Sequence, residues 1–213
     1  MGFFSGICSF VGSICSSIGG AIGSIGKVVS GALSILTGPV ASIVMGAVMG
    51  VGKLLGITTE KEKPEELGMK AAKSDKRLED FNSYKEYKNY LNSIELTRED
   101  MKKMEENKSA YAHIGTAVCL QGINDFYDMP ISIETFIALA QIGLKNGNSI
   151  KTLLDEYKKK NIKPNIDKVV SGKNITPMES DKILGVLNEV LEKMNDGSKL
   201  EERLNNMMAK KSN

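Results

Sequence analysis

The residues that could carry out catalysis are few and poorly placed for it. The chain has one histidine, His113, and three cysteines, Cys8, Cys15 and Cys119. His113 and Cys119 are six residues apart on one predicted helix, a poor spacing for contact between their side chains. An acid–base or nucleophilic pair also needs a third group that orients it. We therefore expect His113 to be a packed core residue and the protein not to be an enzyme.

Motifs for metals, phosphates and nucleic acids are also lacking. Asp125 and Asp128 flank two aromatic residues without the regular oxygen ligands of a calcium loop. The glycines near residue 20 do not form a G-x-x-x-x-G-K-[ST] loop, and no strand is predicted before them. Residues 57–213 hold 26 basic and 26 acidic side chains, so no electrostatic footprint for nucleic acid is present. We expect no metal, no cofactor and no nucleic-acid partner.

The glycine-rich first quarter is the most distinctive part of the sequence. The first 56 residues carry only two charged side chains, Lys27 and Lys53, and hold 13 of the 21 glycines. An eleven-residue pattern repeats there at Val11–Ala21 and Ile22–Ala32, and more loosely at Leu33–Ile43. Eleven residues make three turns of about 3.67 residues each, so the pattern predicts a helix with one continuous apolar face.

The two faces of that predicted helix differ in side-chain size. Large aliphatic residues, here called the aliphatic stripe, recur at spacings of three and four: Ile7, Val11, Ile14, Ile18, Ile22, Ile25, Val29, Leu33 and Leu36. Small residues at which helix backbones could approach closely form the small face: Gly12, Gly19, Gly20, Gly23, Gly31, Gly46 and Gly50. Each glycine costs about 1 kcal/mol of helix propensity relative to alanine, so the segment must bury its stripe against lipid or a protein partner.

A break at Gly38 and Pro39 divides the apolar region, because glycine is typical of helix ends and proline of first helical turns. We expect a helical hairpin, with a long helix over about Ser5–Leu36 and a shorter one over about Pro39–Leu55. The stretch Val28–Gly52 has 25 residues without a charge, which is long enough to span a membrane. Its many glycines make insertion marginal, so the sequence predicts a conditional membrane helix.

The composition changes abruptly at Thr58. Residues 58–66 read as a charged linker, which predicts a glycine-rich hydrophobic unit over 1–57 and a soluble helical-bundle domain over 67–213. The segments Ala110–Tyr127 and Ile131–Leu144 are the most apolar of that domain and should form its core. No stretch alternates with period two, so the predicted fold class is all-α. Predicted helix starts carry capping residues: Thr97 with Asp100, Ser149, Thr176 with Glu179, and Ser198.

The first residues do not look like a cleavable export signal. Met1 to Phe4 contain no lysine or arginine, and the apolar character continues past residue 50. An export signal has a basic start, a short apolar core and a small-residue cleavage site. If the protein leaves its cell, we expect a route that reads no cleavable signal.

Over residues 5–56 the stripe and the small face resemble the glycine-zipper segments of pore-forming effectors that bacterial contractile (type VI) secretion systems deliver. They are also similar to the glycine-rich amino termini of phage pilot or ejection proteins. The resemblance implies a toxin-like protein that is made in a bacterial cytoplasm, is secreted or virion-associated, and inserts into a target membrane. Self-association through the small face would let several copies line a path.

Two other functions remain open at this point. The chain could be a structural or cargo component whose hydrophobic tail is buried in a protein partner such as a tube, a spike or a chaperone groove. It could also be a membrane-tethered adaptor, although Lys53 alone makes no basic cluster beside the apolar segment.

Overall fold

The computed structural model describes residues 39–172, 174–194 and 202, and this part of the chain is mostly helical with no β-strand. The predicted all-α class is thereby confirmed. The long first helix and the final helix of the prediction lie outside the described residues. The helices are α1 (Pro39–Leu54), α2 (Pro64–Lys73), α3 (Tyr84–Ser93), α4 (Arg98–Glu106), α5 (Lys108–Tyr127), α6 (Ile133–Gln141), α7 (Gly147–Lys159), α8 (Ile166–Ser171) and α9 (Pro177–Lys193), with one 3₁₀ turn at Leu78–Asp80.

Two of the predicted caps form as reciprocal capping boxes. At the start of α4 the backbone N–H of Asp100 donates to Thr97 Oγ1 at 3.2 Å, and the N–H of Thr97 donates to Asp100 Oδ2 at 2.8 Å. At the start of α9 the N–H of Glu179 donates to Thr176 Oγ1 at 3.3 Å, and the N–H of Thr176 donates to Glu179 Oε2 at 3.0 Å. Each box satisfies two backbone donors that the first helical turn leaves unpaired.

The prediction that Ser149 caps α7 is wrong. The helix begins at Gly147, and Asn146 is its capping residue. The Asn146 side-chain oxygen accepts the backbone N–H of Asn148 at 2.8 Å. Asparagine caps at least as well as serine, so the earlier residue takes this role.

Helix α5 is the centre of the core. It is buried around most of its circumference from Tyr111 to Leu120 and again at Gly122 and Ile123, as expected of a helix that other helices surround. Helices α1, α2, α3 and α4 all contact it. Helix α6 is also largely buried, so both segments that the sequence predicted as core are core.

A row of small residues on α5 sets how closely its neighbours approach. Gly115, Cys119 and Gly122 are spaced by four and three residues and so lie on one side of the helix. A Cβ added to Gly115 would lie 1.8 Å from the carbonyl oxygen of Pro64 in α2. A Cβ added to Gly122 would lie 2.6 Å from the ring of Tyr84 in α3. Both positions therefore require glycine.

The crossing of α2 and α5 is a contact between two backbones. A Cβ added to Gly68 in α2 would lie 1.8 Å from the Tyr111 carbonyl oxygen and 2.8 Å from the backbone nitrogen of Gly115. The atoms in the way are backbone atoms of another helix, and no rotamer change can move them aside. This helix pair also shares the most extensive packing between any two described helices.

The segment predicted as a charged linker belongs to this packed unit. Helix α2 begins within it, at Pro64. Glu62 forms an ion pair with Lys88 of α3, and both side chains are about one-tenth exposed. Glu65, also nearly buried, lies 3.4 Å from the ammonium group of Lys108. These carboxylates look like linker residues in the sequence because their partners are more than 25 positions away.

We predict that Gly68→Ala and Gly115→Ala each lower the free energy of unfolding by about 3 kcal/mol or more, since a side chain at either position overlaps the facing backbone. Urea titration followed by circular dichroism measures this change. Gly185→Ala is the matched control: it lies in α9 with no described neighbour within 4 Å of the new Cβ. That variant should gain about 0.5–1 kcal/mol from helix propensity. Wild-type stability in both crossing variants would contradict the backbone contact.

Candidate functional site

The candidate site is the place where the uncharged amino-terminal region enters the helical domain, at α1. This helix lies in the core and contacts α5, α6 and α7. Val44, Val48 and Val51 have no solvent exposure, and Ala41 and Ala47 are also buried. One side of its first turn is open to solvent at Val40 and Ser42, and Gly46 and Leu54 are also exposed.

This packing differs from the predicted division between residues 57 and 58. The second arm of the predicted hairpin already buries its apolar face against helices of the same chain. A run of uncharged, apolar residues has the same sequence signature whether lipid or protein covers it, and a buried core helix of this length is common. The helix Pro39–Leu54 is therefore packed together with the helices that follow residue 57.

The two small-face glycines in the described part have different surroundings. A Cβ added to Gly50 would lie 3.5 Å from the Cα of Gly147, which is ordinary van der Waals contact. A Cβ added to Gly147 would lie 2.8 Å from the backbone carbon of Gly50, which is too close. At Gly46 a Cβ would meet no described atom within 4 Å. The aliphatic stripe and the small-face residues from Gly12 to Gly31 lie outside the described residues.

The close contact between α1 and α7 therefore depends on Gly147, which the sequence did not indicate. This glycine is the first residue of α7, and its role depends on Gly50, almost one hundred positions earlier. A helix-starting glycine next to a capping asparagine has an ordinary local explanation. No feature of the neighbouring sequence could have indicated that this glycine also allows the close approach of α1.

Cys119 packs against the same half of α1. A Cβ added to Gly52 would lie 2.3 Å from the Cys119 sulfur, and that thiol lies 3.6 Å from the Val48 carbonyl oxygen, to which it donates. Burial, with a smaller contribution from the nearby Glu62 carboxylate, raises the pKa of the thiol to about 12. A thiol that stays protonated is a poor nucleophile, so Cys119 acts here as a packing residue.

The other candidates for chemistry lie apart from one another. His113 is buried in α5, and burial lowers its pKa, so the neutral ring is favoured. Asp125 is on the last turns of α5, and Asp128 adopts left-handed backbone angles at the end of that helix. Within residues 39–172 and 174–194, no group of three histidine, cysteine, aspartate or glutamate side chains could hold a metal ion.

A cavity of about 350 Å³ lies beside the end of α1. Leu55 and Ile57 line it together with Tyr84, Lys88 and Phe126. The Lys88 ammonium group is held by Glu62 and by Asn92 Oδ1, the latter at 3.1 Å. The one buried cation of this cavity, Lys88, is therefore already paired, whereas the exposed Lys85 and Asp125 also line it.

None of the helices over residues 39–172 and 174–194 combines the length and the apolar character that crossing a membrane requires. Comparisons with protein families, with curated proteins and with solved structures found no match. Function must therefore be argued from the residues themselves.

We predict that a fragment of residues 39–213 unfolds cooperatively and that a fragment of residues 58–213 does not. Removing α1 exposes the surfaces that Val44, Val48 and Val51 cover, and burial of these three valines alone is worth about 4.5–9 kcal/mol. That is most of the stability of an ordinary domain. Thermal melting followed by circular dichroism at 222 nm distinguishes the two fragments. Equal melting temperatures would show that α1 is dispensable to the core.

Proposed function

We propose that this protein is a non-enzymatic membrane-inserting and pore-forming protein that a bacterial secretion or phage-like injection machine delivers. Residues 5–36 are the inserting segment, and the helical domain is its carrier. The single observation that carries the proposal is the sequence of residues 5–36, which combines the nine-residue aliphatic stripe with many small residues and has one charged side chain, Lys27. The uncharged region continues directly into a core helix, so whatever holds residues 5–36 is coupled to a packed domain.

The composition of the inserting segment supports insertion. Residues 1–26 contain no charged side chain, and about 20 apolar residues suffice to cross the hydrocarbon core as a helix. Complete burial of the nine stripe residues would be worth about 14–27 kcal/mol. No water-exposed helix with so many glycines would be stable without that burial.

The exposed first turn of α1 supports the division between carrier and inserting segment. The exposed Val40 and Ser42 place the start of α1 at the surface of the domain, whereas Val44 is fully buried. Residues before Pro39 can therefore enter a membrane without unfolding the domain. Since α1 is occupied in the core, the inserting arm is the first helix of the predicted hairpin alone.

The small face supports self-association. In lipid there is no hydrophobic force between helices, and close approach at small residues provides the contact. Copies that meet through Gly12, Gly19, Gly23 and neighbouring serines would turn the aliphatic stripe toward acyl chains. The serine hydroxyl groups would then line a narrow path across the membrane, and we propose that this path is the pore.

One observation favours the alternative, a structural or cargo protein whose tail is buried in a tube, spike or chaperone. Helix α1 belongs to the same uncharged region, and it is covered by protein. Residues 5–36 could be covered by a protein partner in the same way. The experiments below separate these two functions.

We predict that Ile18→Asp, Ile22→Asp and Ile25→Asp each abolish dye release from liposomes by the full-length protein. A carboxylate at the centre of a membrane costs about 2.5–3.5 kcal/mol, or about 100-fold in the insertion equilibrium. Leakage of a small dye from neutral and anionic liposomes, measured across a range of pH, tests this. Met101→Asp is the control, because it adds the same charge at a half-exposed position of α4.

If the tail is held by a protein partner, the stripe variants should instead lose that partner and aggregate or be degraded in the producing cell. Wild-type protein that releases no dye under any of these conditions would overturn the pore proposal. A partner that co-purifies in fixed stoichiometry with the wild type alone would then support the alternative.

We predict that Gly20→Ile, Gly23→Ile and Gly31→Ile retain membrane binding but lose leakage. The added side chains raise hydrophobicity, so partition into lipid should not fall, whereas they prevent close approach of helix backbones. Vesicle co-sedimentation and dye release, measured on the same preparations, separate the two effects. Unchanged leakage in all three variants would show that these glycines are not packing positions.

A further inference from the structure

A lysine-lined groove lies between the end of α7, helix α8 and the start of α9. Its volume is about 570 Å³. Three asparagines line it together with five charged residues from two segments: Lys160, Lys163, Lys168, Glu179 and Lys182. An adjoining depression of about 680 Å³ shares Lys163, Asn165 and Lys168 with it.

Three of these lysines form no close ion pair with a carboxylate. Lys160 pairs with Glu189. In the described part of the chain, the ammonium groups of Lys163, Lys168 and Lys182 have no carboxylate oxygen within 4.0 Å. Most other described lysines do form such pairs, so a cluster of three unpaired cations around one concavity is a local excess of positive charge.

The nearby carboxylates are engaged by threonines. Glu179 Oε2 accepts the backbone N–H and the hydroxyl of Thr176 at 3.0 and 2.7 Å. Asp167 Oδ1 accepts the Thr135 hydroxyl at 3.1 Å. The Thr176 hydrogen bonds and, to a smaller extent, the charges of Lys168 and Lys182 hold the pKa of Glu179 below its usual value. Glu179 therefore stays charged at the groove, which leaves three unpaired lysines against one carboxylate there.

The groove combines this charge with an apolar lining. Ile162, Ile175 and Ile183 contribute aliphatic surface beneath the lysines. Ile183 is buried, and its carbonyl oxygen accepts the Tyr157 hydroxyl at 2.9 Å, which fastens α9 to α7. Cations beside aliphatic surface suit an amphipathic anion better than a simple inorganic ion.

We infer that this groove binds a phosphate-bearing anion through Lys163, Lys168 and Lys182, and that the headgroup of an anionic phospholipid is its source. Lysine ammonium groups are common phosphate ligands, and juxtamembrane lysines each contribute about 1 kcal/mol to binding an anionic surface. The choice of a lipid source rests on the proposed membrane function. The phosphate site itself does not.

The test uses the full-length protein and the triple variant Lys163→Gln, Lys168→Gln, Lys182→Gln. Binding is measured by co-sedimentation with phosphatidylcholine vesicles and with vesicles that also contain phosphatidylglycerol. We expect the wild type to prefer the anionic vesicles and the triple variant to bind them about 10- to 100-fold more weakly. Binding to neutral vesicles should be the same for both proteins.

A second triple variant, Lys61→Gln, Lys70→Gln, Lys85→Gln, is the matched control. It removes the same charge from lysines that form no ion pair among the described residues and lie outside the groove. It should keep the wild-type preference for anionic vesicles. Equal losses in both variants, or no loss in either, would overturn the inference. Thermal melting of all three proteins shows whether a loss arises from unfolding.

A titration with glycerol 3-phosphate and inorganic phosphate, followed by NMR, distinguishes the two sources. Saturable shifts at the groove that the first triple variant abolishes support the phosphate site. If these occur without any preference for anionic vesicles, a free phosphate compound is the ligand and the lipid assignment is overturned. Failure of wild-type dye release with an intact phosphate response would overturn the proposed function alone.

Discussion

The close approach of three helices to α5 is the constraint on which the rest of the described structure depends. Gly115, Cys119 and Gly122 form one side of α5 with small side chains. The backbone of α2 lies against Gly115, the backbone of α1 against Cys119, and the Tyr84 ring of α3 against Gly122. Packing at backbone distance leaves little room for adjustment, because helix backbones cannot change rotamer. The register of these three helices on α5 is therefore fixed by the positions of a few small residues.

The constraint also explains how an apolar segment becomes part of the core. Gly52 lets α1 lie on Cys119, and Gly147 lets the start of α7 lie on α1 at Gly50. With both contacts made, the valines of α1 are covered on the α5, α6 and α7 sides. Before Pro39 the sequence carries one charged side chain, Lys27, and the proposal assigns the covering of its aliphatic residues to lipid or to a partner.

The sequence predicted what is determined locally and missed what is determined at a distance. The capping boxes at Thr97 and Thr176 were correct because all their atoms lie within four residues. The apolar character of α5 and α6 was sufficient to place them in the core. Residues 58–66 read locally as a charged linker, and the partners of Glu62 and Glu65 lie far along the chain, on α3 and α5. The lysine groove was hidden because the balance of charges over residues 57–213 averages a local excess to zero.

Glycines in the two parts of the chain pose opposite packing problems. In the domain, each contact glycine faces one specific neighbour, and the surrounding sequence does not repeat. In residues 11–32 the same small face returns every eleven residues, so a partner helix meets an equivalent surface after each shift of three turns. A surface that is degenerate in register is poorly suited to unique packing within one chain. It is well suited to association between identical segments, for which any of the equivalent registers brings two small faces together and leaves the stripe facing lipid. This argues for self-association as the role of the repeat.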